Sequence, residues 1–191
     1  MIALGESVIA IGMGVDVEHV TAGTVAVVVL ALALPGALWW TYFTDYAAGE
    51  HALARVETDA RSLLAARAYY FAHIPILLGI VVAAAGIEAA VAHPGEHATW
   101  PSATALAGGV ALFLVGIADF RRCLSIESPA PRMAAAVAVL ATISIGASIG
   151  AGLQLGAVLG VVVVMLVLDR HRIHGGRELV DDRGSESTSS A

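Results

Sequence analysis

Three stretches of this chain carry no charged side chain at all: 22 positions at 22–43, 21 at 98–118 and 36 at 133–168. A helix needs about 20 apolar residues to cross about 30 Å of hydrocarbon. In that medium only helices and closed barrels satisfy their own backbone groups. Uncharged runs of this length, too long for strands, predict an all-α polytopic membrane protein. Composition agrees: 58% of residues are hydrophobic and 14% charged, with a mean hydropathy of +0.82. Soluble domains are nearer a quarter charged.

The run at 133–168 would be about 54 Å long as one helix, too long for an ordinary crossing. A hairpin turning within "SIGAGLQ", residues 148–154, divides it in two. The expected spans are therefore 1–15 (partial), 22–43, 68–92, 103–120, 133–149 and 152–168. That is five full transmembrane helices plus one partial N-terminal helix, with 1–168 forming the membrane domain. The remainder, 169–191, is rich in Gly, Ser and acid, lacks aromatics, and is expected to be a disordered tail.

The basic residues test this count independently. All ten are arginine. Arg55, Arg61 and Arg67 precede the third span; Arg121, Arg122 and Arg132 lie between the fourth and fifth. Arg170, Arg172, Arg177 and Arg183 follow the last. With six spans all three groups fall on one side, and the other side has no arginine. The positive-inside rule then places that side, and the C-terminus, in the cytoplasm. Trp39, Trp40, Tyr42, Tyr46, Tyr69 and Tyr70 gather at the same level, as interfacial anchors do.

Polar side chains inside the spans carry most of the functional information. Glu6, in "IALGESVIAIGMG", lies nine residues before Val15, about 13.5 Å into the bilayer. Ionised carboxylates are costly there, so Glu6 is expected either to relay a proton or cation or to be a paired structural acid. Ser7 is its polar neighbour. His73 and Glu88 fall on one side of the third span, near its two mouths, with Leu77, Val81 and Ala84 between them; that side is expected to turn inward. Asp45 and Asp119 mark the inner ends of their spans. Asp45 is expected to pair with an arginine of the loop after it, and Asp119 with Arg121 or Arg122. Gly152, Gly156 and Gly160 form a small-residue stripe. It suits a contact within the hairpin, with a homodimer face as the alternative. Pro35 and Pro75 are expected to kink their helices.

Several function classes are excluded. One cysteine, Cys123, allows no internal disulfide or cysteine zinc cluster. His93 and His97 have i, i+4 spacing, but Pro94-Gly95 breaks the helix between them, so no metal site is expected. No phosphate-binding loop, "HExxH" or "GxSxG" occurs, and no cofactor is expected. No basic cluster suggests nucleic acid. The opening segment has no positive n-region and is interrupted by Glu6, unlike a signal peptide. It reads as the second half of a span preceded by further chain.

"IALGESVIAIGMG", "ALWWTYF" and "ARAYYFAHIPILLGIVVAAAGIEAAVAHP" resemble, in order and spacing, the bacterial low temperature requirement protein A family. "ALAGGVALFLVGIADFRR" is a looser match. The motif positions are Gly5, Glu6, Ser7, Trp39, Trp40, Tyr42, Phe43, His73, Pro75 and Glu88. The family form often has aspartate directly after Tyr-Phe; here Thr44 intervenes before Asp45. Members are integral membrane proteins of about twice this length, so the resemblance implies the C-terminal half of such a protein, with an N-terminal half as partner. It implies no activity. The polar residues point to a transporter or channel component, with a structural or stress-tolerance membrane protein as the alternative; an intramembrane enzyme ranks below both.

Overall fold

The computed structural model describes residues 2–15, 20–54, 67–126 and 128–189; the side chains of 2–4, 6, 7, 47–54, 68, 69 and 172–189 fall outside the description. The described residues are helical throughout: α1 (Ile2–Gly14), α2 (Ala22–Ala54), a π-helical turn (Arg67–Phe71), α3 (His73–Ala92), α4 (Trp100–Cys123), α5 (Ala130–Ala141), α6 (Ile143–Ser148) and α7 (Ala151–Ser189). Five spans among them are long and apolar enough to cross a membrane: Ala22–Tyr46, His73–Ala92, Trp100–Cys123, Ala130–Ser148 and Ala151–His171. The shorter α1 stands before them.

Two helix starts are set by side-chain caps. Thr21 and Thr24 cap α2 reciprocally, with Thr24 N–H donating to Thr21 Oγ1 at 3.1 Å and Thr21 N–H to Thr24 Oγ1 at 3.3 Å. Thr99 caps α4 by accepting from Ser102 N–H, with Pro101 in the first turn. So α4 begins three residues before the expected 103. The hairpin turns at Ile149 and Gly150, inside the expected window. Its first arm is broken at Thr142, whose hydroxyl donates to Val139 O at 2.6 Å and competes for the helical carbonyl.

Pro75 stands close behind the π turn. It sits in the first turn of α3, where amide hydrogens have no intrahelical partner anyway. The missing donor falls beside the π turn, in which Ala72 N–H reaches back five residues to Arg67 O. Pro35 lies inside the continuous α2.

The core is built on the antiparallel pair α3 and α4. Ala72, Ile76, Gly79, Ala83, Gly86 and Ala90 are all buried, at steps of four and three. A Cβ on Gly79 would lie 2.6 Å from Gly109 O and Phe113 N, and one on Gly116 2.7 Å from Ile76 Cγ1. Gly86 meets the Leu106 backbone and Gly109 the Ala83 backbone in the same way. Each contact pairs positions whose numbers sum to about the same value, so the two helices keep one register along their length. Glycine is required because the backbones themselves touch, which is how helices gain contact where lipid supplies no hydrophobic drive.

The other helices dress this pair. α1 lies along α3, with Gly14 against Glu88 O and the Val91 side chain. α5 packs on α4, and α7 packs on α2 and α5. Two glycines of the α7 stripe face α2: Gly152 meets Val27 and Pro94 O, and Gly156 meets Leu30, while Gly160 has open space beside Pro131, Ala134 and Ala135 of α5. Leu77 and Val81 are exposed, so the side of α3 between His73 and Glu88 turns outward there; only Ala84 is buried. The reason is the small-residue seam, which takes the inward side of α3 for α4.

Candidate functional site

On α2 the buried positions among the described side chains are Thr24, Val27, Ala31, Leu34, Pro35, Leu38, Thr41 and Asp45, a seam stepping three and four residues with Pro35 beside it. Asp45 is simply its next inward position, and it carries a charge. The same holds elsewhere. Arg121 continues the α4 series Val110, Leu114, Ile117, and Arg132 opens the α5 series Ala135, Val139. Asp169 continues the α7 series Leu155, Val158, Val162, Met165.

These four side chains meet at one end of the molecule. Arg121 Nη1 donates to Asp45 Oδ1 at 2.9 Å. Arg132 Nη2 reaches both Asp45 oxygens, at 3.1 and 3.2 Å. Its other terminal nitrogen, Nη1, donates to Asp169 Oδ2. Arg121 Nη1 lies 3.6 Å from that same Asp169 oxygen. The residues are deeply covered: Asp45 and Arg121 are 3% exposed and Arg132 1%. Among the described residues two aspartates face two arginines, so these four charges balance. Balance is what makes burial tolerable, since a lone buried charge costs several kcal/mol. Arginine suits the role because its planar fork serves two carboxylates at once.

One turn from Asp45, Tyr42 carries a second polar contact. Its hydroxyl lies 3.0 Å from His73 Nε2. The imidazole stands edge-on to the Tyr42 ring at 5.7 Å and to Phe120 at 6.0 Å. Phe120 precedes Arg121, so the two polar groupings adjoin. Trp39 and Phe43, with ring centroids 4.7 Å apart, and the exposed Trp40 surround this end of α2.

The residues singled out from sequence separate. His73 and Asp45 both join the charged end. Asp45 does so through Arg121 and Arg132; of the loop arginines expected for it, Arg55 and Arg61 lie outside the described residues, and Arg67 stands exposed in the π turn. Asp119 is exposed, and its carboxylate accepts from the Cys123 thiol at 4.0 Å. Arg121 turns inward to Asp45 instead. Glu88 is half-buried near the far end of α3 and does not join the cluster. Glu6 and Ser7 lie within α1, but their side chains fall outside the described residues.

The opposite end has a different chemistry. Gln154 is 1% exposed, and its Nε2 donates to Ala103 O at 2.8 Å. Its carbonyl oxygen rests against Gly146, where any Cβ would collide with it. Ala98 N–H donates to Gly146 O and Ala151 N–H to Glu96 O, both at 2.9 Å. The loop between α3 and α4 is thus stitched by backbone to the α6–α7 turn.

A profile of the bacterial low temperature requirement A proteins matches residues 1–168. The chain belongs to that family. An uncharacterized protein of Rhizobium meliloti (strain 1021) is 33% identical over 127 residues, covering 65% of this chain and 30% of its own length. The chain therefore spans about a third of that relative. No solved structure matches. The family membership and the five apolar spans make this a multi-pass bacterial membrane protein with a buried acid–base network.

Proposed function

We propose that the chain forms part of a membrane transporter or channel whose cargo movement is linked to a proton or cation. The observation that carries this reading is the buried network of Asp45, Arg121, Arg132 and Asp169, drawn from four different spans. Ionisable groups within spans are expensive and gather at ion pathways and relays. Glu6, with Ser7 beside it, is the proposed relay acid at mid-depth, and His73 and Glu88 are proposed as polar stations toward the two ends of α3.

The arginine-bearing end is proposed to face the cytoplasm, on the positive-inside argument. A periplasm-only reporter fused after Ala191 should stay silent; strong activity would reverse the orientation. The order of the motif stretches supports placing this chain in the C-terminal half of the family architecture. A homodimer through the α7 stripe is a further proposal, centred on Gly160, since Val27 and Leu30 already approach Gly152 and Gly156.

A second reading is a structural membrane protein, favoured by the balance of the cluster's four charges and their close pairing. Proton-linked flux in vesicles separates the two. Glu6→Gln and Asp45→Asn, compared with wild type at matched folded protein, should each lower flux strongly. Equal flux for all three across pH would favour the structural reading.

A further inference from the structure

The polar contacts at the charged end have a common geometry. Tyr42 reaches from α2 to His73 on α3. Asp45 reaches from α2 to Arg121 on α4 and to Arg132 on α5. Every one of these bonds ties the last part of the α2 span to another helix. The other end of the span is held differently, by Val27 seated against Gly152 of α7 and by the Thr21–Thr24 cap.

Between these two anchorages lies Pro35-Gly36. Proline has no N–H, so the bond it would make to the Ala31 carbonyl is missing from the helix. A Cβ on Gly36 would meet nothing within 4 Å. Beyond it, Thr41 donates to Ala37 O and Thr44 to Trp40 O, both at 2.9 Å. Hydroxyls bonded back in this way loosen and bend helices. From Pro35 to Asp45 is ten residues, about 15 Å of helix.

We propose that residues 37–46 of α2 are a hinged gate leaf, pivoting at Pro35-Gly36 and latched shut by Asp45 and Tyr42. The inference deepens the transport reading and rests on it for its purpose, though its geometry stands alone. Asp169 completes the device. When the leaf swings away, Asp169 stays with Arg121 and Arg132 and holds both arginines in place, so the latch re-forms on the same partners. The α3–α4 pair cannot yield in the same way, because its backbones touch at Gly79, Gly86, Gly109 and Gly116. It is the fixed post against which the leaf closes.

The test uses the whole chain in lipid nanodiscs, where both faces meet solvent, and a membrane-impermeant maleimide. The single native cysteine is first removed as Cys123→Ser. Thr41→Cys reports on the leaf, since Thr41 is 0% exposed. Val27→Cys reports on the pinned end of the same helix. With the latch intact both should label slowly. Asp45→Asn should raise labelling at position 41 by about tenfold or more, while position 27 stays unchanged. Adding Pro35→Ala, which restores the helical hydrogen bond, should bring labelling at 41 back down. Should Asp45→Asn fail to fold, Tyr42→Phe gives the same pattern at about two- to tenfold. Labelling that rises equally at 41 and 27, or is indifferent to Pro35→Ala, overturns the hinge. The readout is access and not flux. A positive result without transport would sink only the transport reading; transport without differential labelling would sink only the gate.

Discussion

The two ends of the bundle are closed by opposite means. At one end four ionised side chains from α2, α4, α5 and α7 meet inside the protein. At the other, backbone amides of the α3–α4 loop and the α6–α7 turn bond to each other, and Gln154 reaches a backbone carbonyl. That closure uses no titratable side chain, and Gln154 is the one long side chain named in it that must be ordered. Charge closure depends on every member remaining ionised and in place, so a single change strips the others of compensation. On the proposed gate, the charged end is the one that opens.

Removing one charge breaks this contrast most severely. Arg132→Ala takes a buried positive charge away from Asp45 and Asp169. A loss of about 3–5 kcal/mol is expected, read as lower thermal stability in detergent. The corresponding blow at the opposite end is smaller. Gly146→Ala pushes a methyl into the Gln154 carbonyl, which is the tip of a side chain and gives way partly. The expected loss is about 1–3 kcal/mol. Tyr42→Phe deletes only the bond to His73 and keeps the ring contacts, so about 0.5–1.5 kcal/mol is expected, with the opposite end unaffected. Gly160→Ala, in open space, should stay within about 0.5 kcal/mol. A large loss at Gly160 would mean that a partner helix covers it.

Much of this architecture was legible in the sequence. Charge-free runs gave the spans, and one-sided arginines demanded a hairpin near 148–154, which turns at Ile149 and Gly150. The site was less legible, for a specific reason. In sequence Arg121 and Arg132 read as topology markers, with Arg121 also a local partner for Asp119, and Asp169 reads as the first residue after an apolar run. The missed signal was periodicity. Asp45, Arg121, Arg132 and Asp169 each continue the three-and-four stepping of their helix's inward seam, and the six-span count already put all four at one level. The tightest glycine contacts lie away from the α7 stripe. A spacing of four on α7 drew attention, but the closest backbone contacts involve Gly79 and Gly86 on α3 with Gly109 and Gly116 on α4, spaced by seven. A seven-residue spacing matches a helix pair that keeps contact along its length. Gln154 gave no signal, because one amide beside a turn reads as exposed until Ala103 is known to lie opposite it.

The central claim is that Asp45 and Arg132 act as one energetic unit across α2 and α5. A double-mutant cycle in nanodiscs tests it, with Asp45→Asn, Arg132→Gln and the double variant followed by thermal unfolding. The two single changes each strand a buried charge, whereas the double change removes both. The account predicts that the double variant is more stable than the sum of the single effects allows, with a coupling of about 1–3 kcal/mol. Effects that simply add, to within about 0.5 kcal/mol, would show that the two side chains do not depend on each other and would contradict it.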